Sequence, residues 1–365
     1  MKITIFGLSI TSAWGNGHAT TFRALCSALH RRGHRIVFFE RNAEWYQNNR
    51  DLPEPAFCDA RIFEDWNQAL PWVRAELRDS DVAVVGSYFP DGVAALDEMC
   101  NANLPVKAFY DIDTPITVGA LKTSGKTDYL LPRHLAELDI YFSFTGGPIL
   151  QELEQDFGVS LALPLYCSVD PERHREVAPA GECRCDLSYM GTYAPDRQPK
   201  IEELLCLPAR QVPAARFIVA GPQYPLSLSW PANVERIVHL NPSRHAEFYC
   251  SSRMTLNLTR RDMIMAGYSP SVRLFEAAAC AATIVSDTWA GLESFFAPGS
   301  EVLLPSSAQD VVRYLTGYDD RELRRIGRAA RERVLASHSN SVRAREFERA
   351  VEIAGRHVPR RAKSP

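Results

Sequence analysis

The sequence has no run of 18 or more apolar residues, so no part of it is read as a membrane-spanning helix. It has no excess of either charge: 41 Lys and Arg stand against 44 Asp and Glu, a net charge of −3. Without a basic surplus, nucleic acid is not expected as a partner. Charged residues at 23% and hydrophobic ones at 46% argue against a disordered chain. Cysteine shows no metal-binding pattern. The nine cysteines are odd in number and scattered, and the close pair Cys183-Arg184-Cys185 has no second pair or nearby His at zinc spacing. They read as reduced, structural thiols, and the expected compartment is the cytoplasm. The opening MKITIFGLSI has one Lys and no small-residue cleavage site, so it reads as a buried strand rather than a signal peptide.

What is present is alternation. Apolar runs of strand length (2–8, 34–40, 60–63, 81–88, 106–112 and 139–145) are separated by helix-period segments, one of which is expected to break near Pro71. Runs apolar on both faces and spaced by helices indicate a parallel sheet covered on both sides. A stretch rich in Pro, Gly and charge, roughly 168–184, reads as a linker. The pattern then restarts with runs at 186–192, 215–221, 234–240, 253–259, 282–287 and 301–305. The fold class is therefore α/β: two Rossmann-like, doubly wound domains facing a central cleft, with C-terminal helices. The expected boundaries are 1–170, 171–340 and a terminal helix and tail at 341–365, the last residues being basic.

In such sheets ligands bind at the loops leaving the carboxyl ends of strands. The first of these, 7–18, carries three glycines before a helix, with Gly17 and His18 at the helix start. It is not a GxGxxG fingerprint, and Glu40 is the one acidic candidate for a ribose. His18 suits proton transfer or a substrate hydrogen bond, or simply occupies the capping region. The second, Tyr110-Asp111-Ile112-Asp113-Thr114-Pro115, holds two carboxylates that share a side if the strand persists. Thr114 is a good N-cap ahead of Pro115, which leaves Asp113 for a substrate; Asp-x-Asp metal sites belong to other architectures, and no metal centre is assigned.

The third loop, 190–200, runs from Gly191 through Tyr193 to Arg197 and Lys200, cations suited to a diphosphate or to a solvated turn. In the fourth, Ser269 is placed at an N-cap and Pro270 at the first helical position. The helix start through Ser271 and Val272 then aims free amides and a positive dipole end at phosphate. Glu276 lies almost two turns further, on an Ala-rich face, where it needs either ribose hydroxyls or an ion pair with Arg260 or Arg273. Arg197, Arg260 and Arg273 form a local cationic cluster that the whole-chain charge conceals.

The stretch 267–293 resembles the donor-binding signature of retaining GT-B glycosyltransferases. MGTYAPDRQPKIEELL (190–205) and SVRLFEAAAC (271–280) are similar to the CgeB-like, spore-maturation branch. The resemblance implies a nucleoside-diphosphate-sugar co-substrate, a UDP-sugar in the first instance, with no further cofactor and no metal. It implies Glu276 on the ribose, Arg197 near the diphosphate and the helix start at 270–272 under the phosphates. The usual motif has a first glutamate eight positions before the second, and Tyr268 stands there; Ala281 replaces the glycine usual after Cys280.

The function expected is metal-independent transfer of a sugar to an unidentified acceptor, with retention implied by the resemblance. His18 and Asp113 are the catalytic candidates. A nucleotide-sugar epimerase of the same architecture and a non-catalytic two-lobed binding protein are the alternatives. The Arg-rich 321–334 segment is poor in apolar residues, which favours a solvated helix with Glu–Arg pairs over docking on an anionic membrane.

Overall fold

In the computed structural model, which describes residues 1–14 and 17–357, the chain divides into two compact units. One comprises residues 1–166 together with the chain from 340 onward, the other residues 167–339. Gly15 and Asn16 of the first loop and the basic tail at 358–365 lie outside the described residues.

The first unit is built on seven strands: β1 (Lys2–Phe6), β2 (Arg35–Arg41), β3 (Asp59–Phe63), β4 (Val82–Gly86), β5 (Val106–Asp111), β6 (Ile140–Ser143) and β7 (Ala162–Pro164). All pair in parallel, in the order β3-β2-β1-β4-β5-β6-β7. Every residue of β4 is buried, which is why that run is apolar throughout instead of alternating. Phe6 of β1 stacks on Phe39 of β2 at 5.0 Å between centroids, part of a continuous core with Val85 and Phe109.

Three expectations change here. β7 was absent from the sequence pattern, because three residues carry no measurable period. Helix Trp66–Arg78 runs through Pro71 unbroken. Pro71 and Asn67 sit on the exposed face, so the carbonyl that Pro71 cannot satisfy is open to water; Asp65 caps the start through the Asn67 and Gln68 amides. The last helix, Asn340–His357, belongs to this first unit, whereas the sequence pattern set residues from 341 apart. Its Phe347 stacks on Phe142 of β6 at 5.2 Å, and its Glu348 pairs with Arg32 and His34.

The second unit has five parallel strands: β8 (Cys185–Met190), β9 (Phe217–Ala220), β10 (Val234–Ile237), β11 (Ser252–Asn257) and β12 (Thr283–Ser286), in the order β10-β9-β8-β11-β12. The run at 301–305 does not form the expected strand. Leu303 makes a single bridge to Val285, and Pro305, lacking an N–H, cannot extend it. The Arg-rich segment forms helix Asp320–Ser337, whose Leu323, Ile326, Ala330 and Val334 are buried within this unit. Among the described residues no helix is long and apolar enough to cross a membrane.

Both sheets are doubly wound. Strand order reverses between β1 and β4 in one and between β8 and β11 in the other. The crevice outside the carboxyl ends of the strands at such a reversal is where this architecture binds ligands.

Candidate functional site

In the first unit, the loop after β1 is held from below by Glu40. This fully buried carboxylate accepts hydrogen bonds from Ile10 N (2.6 Å), Thr11 N (2.9 Å) and Thr11 Oγ1 (2.6 Å). Glu40 therefore shapes the loop and is not placed to meet a ribose. Gly17, at the N-cap, contributes no side chain to helix His18–Arg31.

His18 opens that helix and is buried. Its Nε2 lies 3.1 Å from Asp113 Oδ2, and the Tyr88 ring stands edge-on to it at 5.7 Å. Tyr88 takes φ +61°, a strained setting for a bulky residue, and also packs against Tyr129. Asp113, and not Thr114, occupies the N-cap position of helix Thr114–Ser124, with its carboxylate turned to His18 instead of capping. Thr114 Oγ1 instead donates to Asp111 O and accepts from Ser143 Oγ.

The two carboxylates do not share a side, because the strand ends at Asp111. Asp111 turns into the core, where Tyr141 and Thr117 donate hydroxyls to it. Burial pushes its carboxyl up to about 6, against the pull of those donors. An imidazole held by a carboxylate is the arrangement of a general base.

In the second unit the strand ends at the β8/β11 reversal carry cations. Gly191 follows β8; a Cβ there would lie 2.7 Å from Tyr189 Oη and 2.8 Å from Arg273 Nη1, so only glycine admits the guanidinium. Arg273 donates to Met190 O (3.2 Å) and Leu258 O (2.8 Å), and Arg197 donates to Thr192 O (2.6 Å). Arg197 is buried, and burial, then the charge of Arg273, lower its pKa; the two guanidiniums hold carbonyls two residues apart, at Thr192 and Met190. Arg197 Nε and Arg273 Nε are both buried and make no hydrogen bond. Two guanidiniums in this state, anchored by carbonyls alone, form a pocket that favours an anion.

Arg260 lies exposed at the N-cap of helix Arg261–Ala266. Lys200 pairs instead with Glu203. Tyr193 packs edge-on to Tyr224 at 5.5 Å, next to the loop that follows β9.

The helix that carries Glu276 starts two residues later than the sequence suggested, at Val272, with Ser271 at the N-cap. Gly267 (φ +67°) and Tyr268 (φ +46°) turn the chain just before Pro270, and the residue ahead of a proline avoids helical geometry. Ser269 Oγ is buried against Met263 Sδ, and Ser271 Oγ donates to Asn257 Oδ1 at 2.6 Å. The side chain of Tyr268 lies against Gly291, where an added Cβ would meet its ring at 2.3 Å.

Glu276 is buried; it accepts from Tyr249 Oη at 3.3 Å and lies 3.6 Å from His174 Nε2. Burial raises its pKa above the usual carboxylate range. Sequence reasoning missed His174, Tyr249 and nearby His245. His174 falls in the segment 168–184 read as a linker, where a lone histidine among charges gives no periodic signal.

Residues 197–349 match a family model described as glycosyl transferase-like. No curated protein matches the chain. Solved structures of similar fold include a sucrose-phosphate synthase from Thermosynechococcus elongatus (TM-score 0.70, 13% identity, covering 96% of this chain and 98% of that one). HepE of Anabaena, in complex with UDP and glucose, superposes with a TM-score of 0.68 at 12% identity, over 97% of this chain and all of that one. An α-glucosyltransferase in complex with UDP-glucose and DNA gives 0.69 at 11% identity, over 96% and 98%. The chain thus has the GT-B fold, with a glycosyl transferase-like segment over most of its second unit.

Proposed function

We propose that the protein is a glycosyltransferase that uses a nucleoside diphosphate sugar, UDP-linked by analogy with the ligands of HepE and the α-glucosyltransferase. The observation that carries this is the pair Arg197, buried, and Arg273, half-buried, which hold carbonyls two residues apart and have both Nε atoms buried and unsatisfied. A diphosphate supplies the acceptors they lack, and as it leaves, its growing charge is met by these cations and by the amides at the start of helix Val272–Ala279. That role needs no divalent ion. Gly191 gives the diphosphate access to Arg273, Ser271 and Val272 present the helix start, and Glu276 takes the ribose hydroxyls.

The first unit receives the acceptor, a molecule with a free hydroxyl. His18 removes its proton, held in orientation by Asp113. The CgeB-like resemblance implies retention. Tyr268 in place of the first glutamate, together with a formed His18–Asp113 pair, favours instead a direct displacement with inversion.

Titration with UDP and with UDP-sugars tests the reading, alongside donor hydrolysis. Micromolar UDP affinity that falls on replacing Arg273 is expected; no affinity for any nucleoside diphosphate would overturn it. The anomeric configuration of the product, read by NMR, decides between the two stereochemical courses.

A further inference from the structure

His174, His245 and Glu276 come from three separate segments of the second unit, yet each offers one ligand atom within 4.8 Å of the others. His174 and Glu276 are buried and His245 is half-buried. Left as it stands, this cluster is costly. The Glu276 carboxylate is out of water with two long contacts, and His174 Nδ1 is buried without a hydrogen bond.

Two imidazoles and one carboxylate are a donor set for a borderline cation such as zinc, with a fourth position left for water. Tyr249 Oη, donating to the second oxygen of Glu276, is the outer-shell partner that orients such a ligand. Arg173 and Arg273 also act on Glu276, and their charge limits affinity without removing a donor.

We propose that His174, His245 and Glu276 form a binding site for a divalent transition cation of the zinc class. The site ties the segment around His174 to helices His245–Ser251 and Val272–Ala279. It shares Glu276 with the proposed sugar transfer but does not require that transfer to occur. Only one consequence rests on that reading: a cation held by Glu276 takes the carboxylate away from the ribose.

The test uses the full chain, stripped with a chelator and titrated with Co²⁺ alone, with no nucleotide present. One equivalent is expected, with visible ligand-field absorption of a nitrogen- and oxygen-bound ion and no thiolate charge-transfer band. His174→Gln and His245→Gln keep a polar side chain and should weaken uptake more than about 100-fold, beyond the roughly 10–100-fold typical of outer-shell changes. No uptake by the wild-type chain overturns the proposal whatever the variants do. A thiolate band would assign the ion to the cysteines, and unchanged affinity in both variants would exclude these histidines; either outcome also overturns it. A UDP titration of the metal-free chain separates this result from that of the proposed transfer.

Discussion

His18 Nε2 lies 3.1 Å from Asp113 Oδ2, although the two residues are 95 positions apart. The contact follows from topology. β1 and β5 flank β4 in the sheet, so the loops leaving their carboxyl ends converge at the reversal of strand order. With His18 as base, His18→Asn should lower the transfer rate by about 10²–10⁴-fold and leave UDP affinity within twofold. Asp113→Asn should lose less rate and keep the same affinity. Single-turnover transfer measured beside UDP titration checks both, and equal rates in wild type and His18→Asn would remove His18 from the chemistry.

Glu276 faces opposite demands, being fully desolvated and without a charged partner at contact distance. If ribose hydroxyls meet it, Glu276→Ala should weaken UDP binding by about 10–100-fold, the worth of one or two hydrogen bonds to a charged group. Because substitution also removes an isolated buried charge, thermal stability should hold or rise. Calorimetric titration together with thermal denaturation reads both effects, and unchanged UDP affinity would place the ribose elsewhere.

The strand runs and the order of domains could be read from apolar periodicity, because burial on both faces leaves a direct trace in composition. Periodicity reports burial and not pairing, so 301–305 reads as a strand although it has only isolated bridges, at Val302 and Leu303, and β7 passes unnoticed at three residues. Of the site, Arg197, Arg273 and Glu276 could be placed because they sit at fixed offsets from strand ends and a helix start. Glu40 could not: its partners Ile10 and Thr11 lie about 30 positions away and involve backbone amides, which leave no mark in residue type. His174 was hidden for a different reason. A segment rich in Pro and charge looks solvated, yet His174 packs inward beside Glu276.

Gly191 is where a single methyl group should matter most. A Cβ would come within 3 Å of both Tyr189 Oη and Arg273 Nη1, and the guanidinium, being the more flexible, would move. Arg273 would then lose its bond to Met190 O and its alignment with Arg197. Gly191→Ala should cost UDP affinity about tenfold or more, with stability changed by no more than about 1 kcal/mol. A crystal structure with UDP would show whether the guanidinium has moved. Full affinity in this variant would mean that the pocket does not depend on Arg273.

Asp111 gives a pH signature that belongs to the first unit alone. Its carboxyl titrates at about 6 in the folded chain, chiefly through burial, against about 3.9 unfolded. The folded state therefore holds the proton more tightly, and the contribution to stability is full below pH 4 and lost as pH rises through 6. Two pKa units correspond to about 3 kcal/mol. Asp111→Asn keeps a carbonyl acceptor for one of the Tyr141 and Thr117 hydroxyls, offers an NH2 donor to the other, and cannot titrate. Between pH 4.5 and 7, the urea-unfolding free energy of the wild type should fall relative to this variant by about 2 kcal/mol. Other titrating groups are common to both proteins and cancel in the difference. Parallel pH profiles would mean that Asp111 is ionised throughout and that its two hydroxyl donors outweigh the cost of burying it.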